Sequence, residues 1–168
     1  AEVGVMKMRF YFYLFSIICT LLSPIYSVIA QSQEVRMFAH RGGRMETDEN
    51  TLQAFEYSYQ LGYKGYEIDI RMTSDGELVL MHDSTLERTT NGKGMVEQKT
   101  RAELEKLLTK KGNPILFLDD FLKFLEGKDD LYVEFEMKTN PASHYTDELL
   151  KTYCDKLYQM VMKNKPAH

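Results

Sequence analysis

From residue 35 onward the chain alternates short apolar runs with longer amphipathic stretches, and this alternation limits the folds open to it. Residues 35–39 read as a strand, ended by the breaker Arg41-Gly42-Gly43. Asn50-Thr51 suits the cap of a helix over 52–61, which Gly62 stops. A second strand is predicted over 66–70 and a third over 78–81, the latter entered through the turn Ser74-Asp75-Gly76. Thr100-Arg101-Ala102-Glu103 is a capping box opening a helix to residue 108. A short helix follows over 119–125, then a fourth strand over 131–137 and a long helix over 143–163. Strand–helix alternation implies mostly parallel strands joined by helical crossovers.

A doubly wound sheet and a (β/α) barrel both satisfy that pattern. The positions of the polar residues favour the barrel. His40, Glu67, Asp69, His82, Asp83, Glu136 and Lys138 lie within or just past predicted strands, towards their C-terminal ends. A barrel gathers its chemistry from several strand ends in this way. A doubly wound sheet would be expected to carry a glycine-rich phosphate loop after its first strand. The glycines after His40 lack that spacing.

The first thirty residues are a different object. Lys7 and Arg9 precede an apolar run over 10–29, which ends Val28-Ile29-Ala30-Gln31. This reads as a secretory signal peptide cut after Ala30, with residues 1–5 as extra upstream sequence. Pro24 and scattered serines make the run a poor membrane span, so no stable span is expected once the leader is gone, and the mature protein is expected to be periplasmic or extracellular. Past Ala30 only Cys154 remains, which rules out an internal disulfide and a cysteine metal site; it reads as a buried thiol on a helix. The net charge of -4 argues against a nucleic-acid binder with a broad basic face. Oligomeric state is not legible.

The candidate chemistry sits in four short motifs. In Glu67-Ile68-Asp69 the two acids are i and i+2 on a strand and therefore share a face. Like charges so close repel, and a bound cation would relieve them; oxygen-only ligands suit a hard ion, Ca²⁺ or Mg²⁺. Taken alone, the pair suits a solvated edge strand equally well. Glu134-Phe135-Glu136-Met137-Lys138 repeats the pattern: Glu136 can complete a carboxylate triad and Lys138 can reach a phosphate oxygen, although a solvent-facing charged row looks the same. His40 and His82 each end a predicted strand beside a charged residue, Arg41 or Asp83. Histidine titrates near neutrality, so two of them across a phosphate can act as acid and base. Arg41 offers a planar fork to phosphate oxygens. His144 and His168 read as solvated.

Taken in order, Ala39-His40-Arg41-Gly42-Gly43, Glu49-Asn50-Thr51, Glu67-Ile68-Asp69, Thr73-x-Asp75-Gly76, His82-Asp83, Leu86-x-Arg88-Thr89-Thr90-x-Gly92-x-Gly94 and Glu136-Met137-Lys138 resemble the N-terminal half of the glycerophosphodiester phosphodiesterase family. The resemblance covers roughly residues 37–138. It implies a TIM-type (β/α) barrel that hydrolyses glycerophosphodiesters to glycerol 3-phosphate and an alcohol. It further implies Glu67, Asp69 and Glu136 as ligands of a divalent cation, His40 and His82 as general acid and base, and Arg41 and Lys138 on the phosphate. Glu49 would orient Arg41 or His40, and Asp83 would orient His82. Asp48 stands where the family usually has proline.

A complete barrel runs to roughly 250 residues. Residues 31–168 hold about four strand–helix units, so the chain is expected to carry about the first half of such a domain. Two other functions compete: a phospholipase C or D on the same scaffold, and a fragment without activity that acts only as a binding module.

Overall fold

The computed structural model describes residues 36–163, apart from 44, 46 and 129. The expected leader and its cleavage point, the first residue of the first predicted strand, and His168 lie outside the described residues.

Three strands run parallel in the spatial order β1 (Phe38–His40), β2 (Gly65–Met72), β4 (Tyr132–Met137). β2 is central, and all eight of its residues are buried. Helix α1 (Leu52–Gln60) forms the crossover from β1 to β2. Its N-cap is Thr51, whose hydroxyl accepts the Ala54 N–H.

The third strand departs from the parallel expectation. β3 (Leu78–Leu80) folds back antiparallel on the far end of β2, pairing Ile70 with Leu80 and Met72 with Leu78. Only five residues, 73–77, separate the two strands, too few for a parallel crossover. Thr73 closes the turn, its hydroxyl donating to Asp75 and accepting the Glu77 N–H. The chain thus returns to mid-β2, where the Met81 N–H donates to the Asp69 carbonyl at 3.0 Å.

Beyond β3 lies an irregular region holding a 3₁₀ turn (Val96–Gln98) and the short helix α2 (Arg101–Leu104). The capping box forms as read, Thr100 and Glu103 bonding reciprocally, but the helix stops after one turn. The chain then bends so that Thr109 bridges Thr90 and Leu108 bridges Pro114. Helix α3 (Leu118–Leu125) leads into β4, and a 3₁₀ turn (Ala142–His144) precedes α4 (Asp147–Lys163).

Period two on β2 splits its side chains. Tyr66, Ile68, Ile70 and Met72 join the main core with Phe55 of α1, Phe121 and Phe124 of α3, and Tyr153 of α4. Phe55 and Phe121 rings meet at 4.6 Å, and Tyr153 donates its hydroxyl to the Ile70 carbonyl. Each fully buried side chain of this kind contributes roughly 1.5–3 kcal/mol. A second apolar cluster, with Val79, Met81, Leu86, Val96 and Phe117, supports the irregular region.

Cys154 does not match its expectation. It lies on α4 but is exposed, because the side of that helix packed on the core carries the buried Tyr153 and the partly buried Leu150 and Leu157. His144 is half-buried rather than solvated, its ring edge-on to Tyr145. Among the described residues no helix is long and apolar enough to cross a membrane.

Candidate active site

The other face of β2 carries Glu67, Asp69 and Arg71. Parallel register sets His40 of β1 opposite Glu67, and Glu134 and Glu136 of β4 opposite Glu67 and Asp69. Glu67, Asp69 and Glu136 each bring one carboxylate oxygen within 4.8 Å of the others. The Asp69 side chain is fully buried, that of Glu67 nearly so, and that of Glu136 half exposed. Burial pushes the Glu67 carboxyl above its ordinary range, and the charges of Asp69 and Glu136 add to the effect. Glu67 Oε1 is buried without a hydrogen-bond donor, and Asp69 Oδ1, equally buried, has the Lys138 ammonium at 2.9 Å. An atom like Glu67 Oε1 is costly unless a cation satisfies it, and a donor set made only of carboxylates fits a hard divalent ion.

The segment after β1 is shaped to serve these acids. Arg41 has φ 54°, and its N–H donates to both the Glu67 carbonyl (3.0 Å) and Glu67 Oε2 (3.1 Å). Gly42 follows at φ 77°, where an added Cβ would lie 2.9 Å from the Ala54 Cβ; only glycine lets this turn sit on α1. The buried Arg41 side chain points back into the site, with Nε 3.2 Å from Asp69 and Nη1 3.1 Å from Glu49. The sequence expectation that Glu49 orients Arg41 or His40 therefore corresponds to a contact with Arg41. His40 Nε2 lies 3.6 Å from Glu67 Oε2, and half of its side chain faces solvent.

His82 arrives at the same level through the β3 hairpin, next to Met81. Its Nδ1 is 2.7 Å from Asp83 Oδ1. Asp83 is held well below the usual carboxylate range by hydrogen bonds from Arg88, which outweigh its partial burial, with His82 adding to the effect. The ionised acid favours the Nδ1–H tautomer and leaves Nε2 for proton transfer. Lys138 Nζ lies 2.9 Å from Asp69 and 2.5 Å from Glu136. Burial alone would lower its pKa; bonds to those two acids raise it instead.

Three participants were not foreseen. Asn50 has φ 56° and donates its amide to Asp69 Oδ2 at 2.8 Å, so it orients the most buried acid instead of capping α1. Arg71, fully buried, pairs with Glu97 at 2.5 Å and donates to the carbonyls of His82 and Asn140. Tyr145 adds a bond to the same Glu97 carboxylate at 2.9 Å. Arg71 thus ties the loop bearing His82 to the loop after Lys138. Its signal in the sequence was its place on the Glu67–Asp69 face. Arg88 is the third.

The glycerophosphoryl diester phosphodiesterase family model matches residues 40–165. The chain belongs to this family. Glycerophosphodiester phosphodiesterase from Caldanaerobacter subterraneus subsp. tengcongensis is 46% identical over 71 residues, covering 42% of this chain and 29% of the relative. The crystal structure of glycerophosphodiester phosphodiesterase from Agrobacterium tumefaciens is 30% identical with a TM-score of 0.64, over 77% of this chain and 53% of that one. A phosphodiesterase from Oleispira antarctica, solved in complex with the product sn-glycerol-3-phosphate, is 25% identical with a TM-score of 0.69, over 79% and 54%. The chain spans about half the length of these solved structures. Its β1–β2–β4 sheet and flanking helices are part of a TIM-type (β/α) barrel.

Proposed function

We propose that the protein acts as a glycerophosphodiester phosphodiesterase, hydrolysing a small glycerophosphodiester to glycerol 3-phosphate and an alcohol with the help of Ca²⁺ or Mg²⁺. The observation that carries this reading is the convergence of Glu67, Asp69 and Glu136 at the level of β2 where His40 and His82 arrive, with Glu67 Oε1 buried and without a donor. The relative solved with sn-glycerol-3-phosphate supports the choice of product.

A divalent cation held by the three carboxylates would neutralise phosphate charge and lower the pKa of a bound hydroxyl. The chain's own groups do the rest. One histidine takes the proton from the nucleophile attacking phosphorus, either a water or a substrate hydroxyl whose cyclic phosphate a water then opens. The other gives a proton to the alcohol as its P–O bond breaks. Asp83 fixes the tautomer of His82. Arg41 and Lys138, already gathered around Asp69, supply positive charge for the phosphate oxygens.

The test is release of glycerol 3-phosphate from glycerophosphocholine with either cation, on wild type, His40→Ala and His82→Ala. Losing an acid–base group typically lowers the rate by ~10²–10⁴. Each variant should lose that much in kcat while keeping its melting temperature within a few degrees. Near-native kcat in either variant, or a loss explained by unfolding, contradicts the assignment.

A further inference from the structure

The motif around Arg88 has no part in the chemistry above, yet the structure builds it carefully. Leu86 and Thr90 are fully buried and anchor the loop. The Leu86 N–H donates to the Gly94 carbonyl, and the Thr90 N–H and hydroxyl both donate to the Leu86 carbonyl. Gly92 packs against Leu107 and Leu86, where a side chain would collide. Between these anchors Arg88 projects towards the site.

Its guanidinium spans two carboxylates that belong to different parts of the chain. Nε and Nη2 donate to Asp83 Oδ2 (2.6 Å) and Oδ1 (3.0 Å). Nη1 and Nη2 donate to Glu49 Oε2 (2.9 Å) and Oε1 (2.6 Å). Asp83 is the partner of His82, and Glu49 is the partner of Arg41. Charges therefore alternate from Asp83 through Arg88, Glu49 and Arg41 to Asp69, with the His82 ring hydrogen-bonded at the Asp83 end. A two-sided bidentate clamp has the planar geometry that only arginine supplies.

We infer that Arg88 is a positioning residue: it clamps Asp83 and Glu49 so that the His82 ring and the Arg41 guanidinium are held in fixed relation across the site. This inference rests on the phosphodiesterase reading for its consequence in turnover, but not for its geometry. Without Arg88 the Asp83 carboxylate is free to rotate away from His82 Nδ1. Lysine keeps the charge but offers no fork that grips both acids.

The test pairs a spectroscopic readout with kinetics on the same protein. Imidazole ¹⁵N shifts of His82 are recorded at alkaline pH for wild type, Arg88→Ala and Arg88→Lys. Turnover of glycerophosphocholine with Mg²⁺ is measured alongside. Wild type should show His82 as the Nδ1–H tautomer, and both variants should move towards Nε2–H. Arg88 is half exposed, so the melting temperature should stay within a few degrees. The loss should fall mainly on kcat, by tenfold to a hundredfold, as expected when a reacting group is slightly misplaced. Variants that keep the wild-type tautomer overturn the inference, as does Arg88→Lys with full kcat. If the tautomer shifts as expected but no preparation, wild type included, hydrolyses the diester, the clamp stands and the phosphodiesterase reading falls.

Discussion

The two faces of β2 are equally buried and built on opposite terms. On one, Tyr66, Ile68 and Ile70 pack in an apolar cluster with side chains from three helices. On the other, Glu67, Asp69 and Arg71 meet charges, and one Glu67 oxygen finds no donor. Burial on the first face stabilises the fold. Burial on the second raises the Glu67 pKa and leaves carboxylates facing one another, which is unfavourable for folding alone. A strand that tolerates this on one face depends on the other face to hold it in place. The strain concentrates at residues suited to a cation and a phosphodiester.

The contrast can be broken most severely from the apolar side. Ile68→Ala, which opens a cavity between β2 and the helices, should lower stability by about 2–5 kcal/mol in denaturant unfolding. A cost below about 1 kcal/mol would mean that the face is not the anchor described.

The polar side should respond weakly and with the opposite sign. The Glu67 carboxyl has a folded pKa raised above its unfolded value, so its charge costs stability above the folded pKa. That cost fades as pH falls and vanishes below the unfolded pKa. Metal-free Glu67→Gln should therefore melt at or slightly above wild type at neutral pH and match it near pH 3. Melting profiles across that range would show it. A clearly destabilised variant at neutral pH would mean that the ionised Glu67 is already well satisfied by Arg41.

Much of this division was legible in the sequence, because it follows from period two along a strand. Glu67 and Asp69, and Glu134 and Glu136, share faces by spacing alone, and the helix caps at Thr51 and Thr100 needed only local chemistry. What escaped depends on contacts between distant positions. Arg71 finds Glu97 and Asn140, 26 and 69 residues away, and Arg88 finds Glu49 across 39. The antiparallel return of β3 was hidden because a turn before a short apolar run does not tell which way that run will pair. It nevertheless delivers His82 to mid-β2, a position no parallel strand of that length would reach after so short a connection. Asn50 looks like part of a cap in the sequence because its left-handed backbone and its bond to Asp69 arise only when β1 and β2 lie side by side.

The central claim is that the polar face of β2, completed by Glu136, is a divalent-cation site. Calorimetric titration of Ca²⁺ and Mg²⁺ into the metal-free protein tests it without relying on turnover. Wild type should bind one ion per chain, with affinity falling as pH drops through the raised Glu67 pKa because the ion must displace a proton. Asp69→Asn should lose that binding while remaining folded. No heat of binding in wild type, or equal binding in Asp69→Asn, would contradict the account.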